Sequence, residues 1–144
     1  MIVHAGLIAR RTGGLWRGIL IEGPSGAGKS DLALRALDHG FRLVADDRVL
    51  LWTDDGRLWG RAPDPLAGLI EIRGQGIVAV APVGFCEIAL KVRLGTPERM
   101  PDAATEAILG LAVPLLAADP FEVSAPAKLG RALEAFDAAH KKRI

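Results

Sequence analysis

Cysteine is nearly missing from this sequence: Cys86 is the only one in 144 residues. That excludes an internal disulfide and a cysteine-rich zinc site. Between Phe85 and Glu87 the lone thiol reads as core packing, because a reactive thiol needs an activating neighbourhood that the sequence does not offer. Net charge is almost as scarce. Eighteen Lys and Arg against seventeen Asp and Glu leave +1, so the balance calls for neither nucleic acid nor an anionic membrane as partner. Long apolar runs are absent too. The stretch Ile108 to Ala118 falls short of the roughly 20 residues of a spanning helix, and the N-terminus lacks a basic segment leading into an apolar signal core. A cytoplasmic protein is expected.

What is present is the composition of one globular domain, residues 1–144, with 50% hydrophobic and 24% charged residues. A chain of this length buries about 70% of its unfolded surface and needs no staple. Ile2-Val3 and Leu7 to Ala9 read as short strands, and Gly13-Gly14 turns the chain into Gly18 to Ile21, an opening hairpin. The run Ile19-Leu20-Ile21 passes into a glycine-rich loop, and Asp31 to His39 then suits a helix closed by Gly40. Phe41 to Ala45 is a strand ending in Asp46-Asp47. Val49 to Trp52 turns at Asp54-Asp55-Gly56 and returns through Leu58 and Trp59. Leu69 to Ile72, Ile77 to Val80 and Ile88 to Leu94 complete the extended segments. Beyond them Pro97, Pro101, Pro114, Pro120 and Pro126 divide the chain into short pieces, and a final helix from about Lys128 to Lys142 carries Leu129, Leu133 and Phe136 on one face. Trp16, Trp52 and Trp59 lack helical spacing and read as hairpin packing, while His39 and His140 read as surface residues at helix ends.

Three constellations carry chemistry. Gly23-Pro24-Ser25-Gly26-Ala27-Gly28-Lys29-Ser30 fits G-x-x-x-x-G-K-[ST] between a strand and a helix. Its glycines let backbone N–H groups converge on phosphate oxygens, Lys29 reaches the outer phosphates and the Ser30 hydroxyl is a ligand for Mg²⁺. The plainer reading is a glycine turn before a helix. Asp46 and Asp47 follow Lys29 at the distance a short helix and a return strand require. One carboxylate can serve a metal and the other a reacting hydroxyl, provided that a break in the strand turns both to one side. The plainer reading is a polar strand end with an Asp–Arg surface pair to Arg48. Glu71-Ile72-Arg73 sets a carboxylate and a guanidinium two apart, facing one way on an extended chain, for a metal and a transferred phosphoryl group. An exposed ion pair before a glycine bend is the alternative. His4, taken alone, reads as structural.

In order and spacing, Val3-His4, the loop 23–30, Arg42 to Val49 and Glu71 to Ile77 together resemble HPr kinase/phosphorylase, in its catalytic C-terminal domain and short alphaproteobacterial-type form. The resemblance implies an ATP-dependent kinase for a serine of HPr, the phosphocarrier of the phosphotransferase system, which in many members also removes that phosphate by phosphorolysis, releasing pyrophosphate. It implies that Lys29 contacts the phosphates and that Ser30 and Glu71 hold Mg²⁺. It makes Asp47 the proton acceptor, with Asp46 supporting the cluster and His4 and Arg73 in the active site. It further implies a hexamer, with Leu115, Leu116 and Phe121 at interfaces, and no nucleic-acid or membrane partner. The arginine usual near the family's C-terminus has no counterpart in Asp119 to Lys128, where Lys128 is the available cation. The expected fold is α/β: a P-loop, phosphoenolpyruvate carboxykinase-like mixed sheet with hairpins, one P-loop helix and short C-terminal helices. The competing reading is a P-loop regulatory module that binds ATP without transferring phosphate. A small-molecule kinase would need a substrate pocket for which the chain leaves little room.

Overall fold

A computed structural model describes residues 1–142, and side chains as far as Phe136, so the expectation that His140 is a surface residue lies outside what is described. The chain opens with β1 (Ile2–His4), β2 (Gly6–Thr12) and β3 (Leu15–Glu22). Gly13 and Gly14 take φ of 57° and 83°, the left-handed pair that a tight hairpin turn requires. β2 and β3 then pair antiparallel from Gly6↔Ile21 to Thr12↔Leu15. Helix α1 (Lys29–Ala36) runs on through a 3₁₀ turn at Leu37–His39 and stops at Gly40, φ 83°. The strands β4 (Arg42–Ala45), β5 (Arg48–Asp54) and β6 (Arg57–Arg61) follow. β7 (Leu69–Ile72) and β8 (Gly76–Ala79) form a separate two-stranded sheet.

β9 (Cys86–Leu94) is the hinge pin of the topology. It lies parallel to β3 along one side. On its other side β6 pairs at Cys86 and Glu87, and a later strand pairs from Lys91 to Leu94. That later strand is β11 (Leu111–Ala118), the second arm of a hairpin whose first arm is β10 (Ala104–Ile108). The larger sheet thus has nine strands, in the order β1-β5-β6-β9-β3-β2-β4, with the β10–β11 hairpin joined to β9. α2 (Ala125–Lys142) closes the described chain.

The mixed α/β sheet with its hairpins agrees with the sequence reading, but the C-terminal segments do not. In place of short helices the proline-divided stretch forms the β10–β11 hairpin, followed by one helix. Leu109 and Gly110, at φ 49° and 83°, make its turn. Pro114 precedes the first residue of β11 that pairs with β9, so its missing N–H costs no bond on that side. Leu116, expected at an interface, is partly buried against the monomer core, whereas Phe121 is 78% exposed.

Both faces of the sheet are covered. Ile8, Ile19, Ile21, Leu43, Leu90 and Val92 pack under Leu32, Ala33 and Ala36 of α1 and Leu129 and Leu133 of α2. Their neighbours Leu7, Leu20 and Val44 point the other way, against Leu51, Leu58 and Val113, and Ile88 joins them because the β3–β9 register shifts between Ile88 and Leu90. Alternation about β2, β3 and β4 explains why those runs are apolar without interruption. Each fully buried Leu or Ile contributes about 1.5–3 kcal/mol.

Candidate active site

The ends of β3 and β4 carry the chemistry. Residues 23–28 link β3 to α1, with Gly26 at φ 80° and Gly28 at φ 102°, conformations that side chains rarely adopt. The Ala27 N–H bonds the Pro24 carbonyl at 3.0 Å, and the Leu32 N–H bonds that of Gly28 at 2.9 Å. A Cβ on Gly23 would stand 3.2 Å from Ala27 Cβ and 3.3 Å from Leu94 Cβ, so the loop is seated against the end of β9. Lys29 folds back over it, donating from Nζ to the carbonyls of Gly23 at 2.6 Å and Pro24 at 3.1 Å. Loop amides, a helix N-terminus and one lysine form an anion cradle in outline.

Asp46 is the hub beside this loop. Ser30 Oγ donates to its Oδ1 at 2.7 Å, and the Glu71 N–H donates to its Oδ2 at 3.0 Å. The carboxylate is 7% exposed, with both oxygens engaged. Asp47 meets different neighbours. Its φ of 71° breaks the chain between β4 and β5, a turn fastened by the Arg48 N–H on the Asp46 carbonyl at 2.8 Å. Its carboxylate is exposed, 3.9 Å from His4 Nδ1 and 3.8 Å from Arg48 Nε. β1 accounts for the place of His4: it pairs with β5 at His4↔Arg48, and the Ala5 N–H bonds the Asp47 carbonyl at 3.1 Å.

The site residues named from sequence are therefore brought together unequally. Lys29, Ser30 and Asp46 adjoin the loop, and Asp47 meets His4. Glu71 joins through its backbone N–H, while its side chain is exposed. Arg73 does not share a strand face with it, because β7 ends at Ile72 and Arg73 opens the turn through Gly74, φ 88°. Among the described residues Arg73 has no hydrogen-bond or ion-pair partner. No group of three or more His, Cys, Asp or Glu side chains converges as a metal cage among the described residues. What the site offers a cation is a hydroxyl and a carboxylate, hard oxygen donors that suit an ion keeping water and phosphate oxygens for the rest of its shell.

The sequence model of the HPr Serine kinase C-terminal domain matches residues 13–94, from the β2–β3 turn to the end of β9. The chain belongs to this family. An HPr kinase/phosphorylase of Limosilactobacillus reuteri (strain DSM 20016) is 38% identical over 131 residues, covering 81% of this chain and 39% of that protein. One from Streptococcus thermophilus (strain ATCC BAA-491 / LMD-9) is 53% identical over 64 residues, 44% of this chain and 21% of its own length. The chain thus spans well under half the length of these relatives. The solved structure of the HPr(Ser) kinase/phosphatase from Coxiella burnetii aligns with a TM-score of 0.77 at 30% identity, over 99% of this chain and 97% of that one.

Within this HPr kinase domain His4 and the C-terminal hairpin lie outside the span matched by the family model. Two features escaped the sequence reading. Arg35 of α1 donates to the carbonyls of Pro120 and Glu122, the latter at 3.3 Å, and ties the segment after β11 over the glycine loop. The arrangement brings Pro120 to 3.4 Å from where a Gly28 Cβ would lie. Lys128, the cation expected to replace the missing arginine, is instead paired with Glu122. The second feature is a charge cluster under the loop: Lys91, 5% exposed, bonds Glu106 and lies 2.5 Å from Glu22, and Arg93 bonds Glu22 at 3.0 Å and Glu106 at 2.7 Å. Burial would raise the pKa of Glu22, but its bonds with Lys91 and Arg93 outweigh that and hold it below the usual carboxylate range. The hydrogen bond from Lys91 does most to lower that of Glu106. Only the alternation of Glu22, Lys91 and Arg93 on neighbouring parallel strands could have signalled this, and that pairing is not local. Burial pushes the Cys86 thiol far up, in keeping with a packing residue. No helix among the described residues is long and apolar enough to cross a membrane.

Proposed function

We propose that the chain is an ATP-dependent kinase that phosphorylates a serine of an HPr-type phosphocarrier. The observation that carries this reading is the junction of Ser30, Asp46 and the Glu71 N–H at the mouth of the glycine loop, with the Asp47–His4 pair a few residues away. A regulatory module that only bound ATP would have no use for an exposed carboxylate on a left-handed turn next to a phosphate cradle. The donor set fits Mg²⁺ carried in with the nucleotide: Ser30 would hold it together with the exposed Glu71 carboxylate and the adjoining Asp46, and there it would supply neutralisation of charge on the transferred phosphoryl group.

In this mechanism the loop amides cradle the β- and γ-phosphates while Lys29 exchanges the carbonyls of Gly23 and Pro24 for phosphate oxygens. Asp47, exposed at the turn, accepts the proton of the incoming serine hydroxyl. His4 orients the Asp47 carboxylate, and Arg73 reaches from its turn toward the moving phosphoryl group. Positioning and charge stabilisation account for most of the rate in such transfers, and the base adds about 10²–10⁴-fold.

Phosphorolysis uses the same site: a phosphate oxygen attacks the phosphoserine phosphorus, the bond to the serine oxygen breaks, Asp47 gives its proton to that departing oxygen, and pyrophosphate is the product. Lys128 is tied to Glu122 and Arg35 to main-chain carbonyls. The reverse reaction is therefore expected to be the slower one. A hexameric assembly belongs to the same proposal, and light scattering that gave a 15 kDa species would remove it.

The test is mass spectrometry of HPr incubated with the protein, Mg²⁺ and ATP, then with phosphate after nucleotide removal. One phosphate gained on serine, and prevented by Asp47→Asn, supports the kinase. Its later loss with pyrophosphate release adds the reverse reaction. ATP binding without any gain would turn the assignment to the regulatory module.

A further inference from the structure

A cavity of about 560 Å³ opens at the opposite end of the sheet from the glycine loop, where β3 and β9 begin. The seven residue steps from Leu15 to Glu22 put it roughly 23 Å from the loop at ~3.3 Å per residue. Its walls are rings. Trp16 and Trp59 line it together with Phe85, which is 56% exposed and stands 6.0 Å from Trp59 at a 58° tilt. The volume falls in the range of small-molecule sites, which combine apolar walls with a few fixed polar groups.

The polar groups here are unbalanced in sign. Among the described residues Glu87 is the one carboxylate in the lining, and it is already met by Arg17 at 2.8 Å and Arg57 at 3.4 Å. Arg57 also lines the cavity. Arg42 lines it too, lying 5.6 Å from the Trp16 ring centre and bonded to the carbonyls of Ala81 at 3.3 Å and Pro82 at 3.4 Å. It has no carboxylate partner among the described residues. Two guanidinium groups therefore edge an aromatic cavity whose single carboxylate is already shared. Guanidinium planes accept carboxylates by two parallel bonds, and ring faces accept flat apolar bodies.

We propose that this cavity is a binding site for a small planar aromatic carboxylate, whose ring lies among Trp16, Trp59 and Phe85 and whose anionic group is held by Arg42 and Arg57. The site is separate from the nucleotide cradle, and the proposal stands whether or not the chain is a kinase.

The probe is 2-naphthoate, with uncharged 2-naphthamide as control, followed by calorimetry and by the indole N–H resonances of the three tryptophans in the full chain. Saturable binding is expected, at least tenfold tighter for the acid than for the amide, with the Trp16 and Trp59 signals moving. Arg42→Met and Arg57→Met should each erase most of the preference while circular dichroism stays unchanged, and Lys29→Ala should leave binding intact. Equal affinity for acid and amide overturns the proposal, as does indifference to both arginine variants. Loss of binding in Lys29→Ala would assign the anion to the glycine loop instead. Binding that falls with protein concentration as the scattering mass rises would give the cavity to a second copy of the chain.

Discussion

Ser30 and Asp46, sixteen positions apart, are joined by a 2.7 Å hydrogen bond from the hydroxyl to the carboxylate. The second carboxylate oxygen takes the Glu71 N–H. A single buried side chain thus ties α1, the end of β4 and strand β7 into one site.

Asp46→Ala should remove that tie and leave a hydroxyl and a backbone N–H without their acceptor. A loss of about 1–3 kcal/mol follows from such unsatisfied groups. In urea titration it should appear as a lower midpoint at unchanged slope, and Mg²⁺-dependent nucleotide affinity should fall with it.

Asp47→Asn should behave differently. At φ 71° asparagine is among the few residues that substitute without strain. Stability and nucleotide affinity should stay as they are, while HPr phosphorylation falls at least about 100-fold through loss of the base. Equal losses of affinity and turnover would argue against a base at this position.

His4→Ala should reduce turnover by about tenfold, since the 3.9 Å separation suits orientation of Asp47 and not a committed bond. The expected signature is a lower kcat at unchanged KM for ATP. His4→Gln should recover part of the rate.

The charge cluster under the loop sets a pH dependence. Glu22 and Glu106 are both held below the ordinary carboxylate range. Their contribution to stability is therefore present above the unfolded-state pKa and lost as pH falls through the lowered folded-state values. Lys91→Met should cost about 2 kcal/mol near neutrality, a value reduced from that of a fully buried pair because the glutamates remain partly exposed. It should also flatten the acid limb of a melting temperature against pH curve. An unchanged acid limb would contradict the role of Lys91.

Gly18 tests the packing between β3 and β9. A Cβ there would stand 2.5 Å from Cys86 Sγ and 3.0 Å from Leu7 Cδ1. Gly18→Ala should destabilise by about 1–3 kcal/mol through overpacking. Pairing it with Cys86→Ala should restore part of the loss in a double-mutant comparison.

The hairpins, α1 and the glycine loop were legible because their signals are local: Gly13-Gly14, Asp55-Gly56 and Gly40 stand where positive φ is needed. A break in the strand at Asp46-Asp47 was legible as the condition for both carboxylates to face one side, and the left-handed φ of Asp47 supplies the break. The β10–β11 hairpin was not, since five prolines suggested interruption and only the register against β9 shows where Pro114 is tolerated. Arg73 was misplaced by extending strand alternation one residue past Ile72. The fastening of residues 120–122 by Arg35 and the Lys91 cluster depend on partners far along the chain, which no spacing rule reports.

The parallel pairing of β3 with β9 has a consequence for how the protein comes into being. The glycine loop is early in the chain, yet Gly23 rests on Leu94, and β3 finds its long parallel neighbour only in residues 86–94. Contacts between such distant segments form slowly, because a long loop must close before they yield any stabilisation. During synthesis, helix α1 and the first hairpin can form well ahead of the seat of the glycine loop. The finished geometry of that loop is therefore a late event, which waits until β9 has left the ribosome.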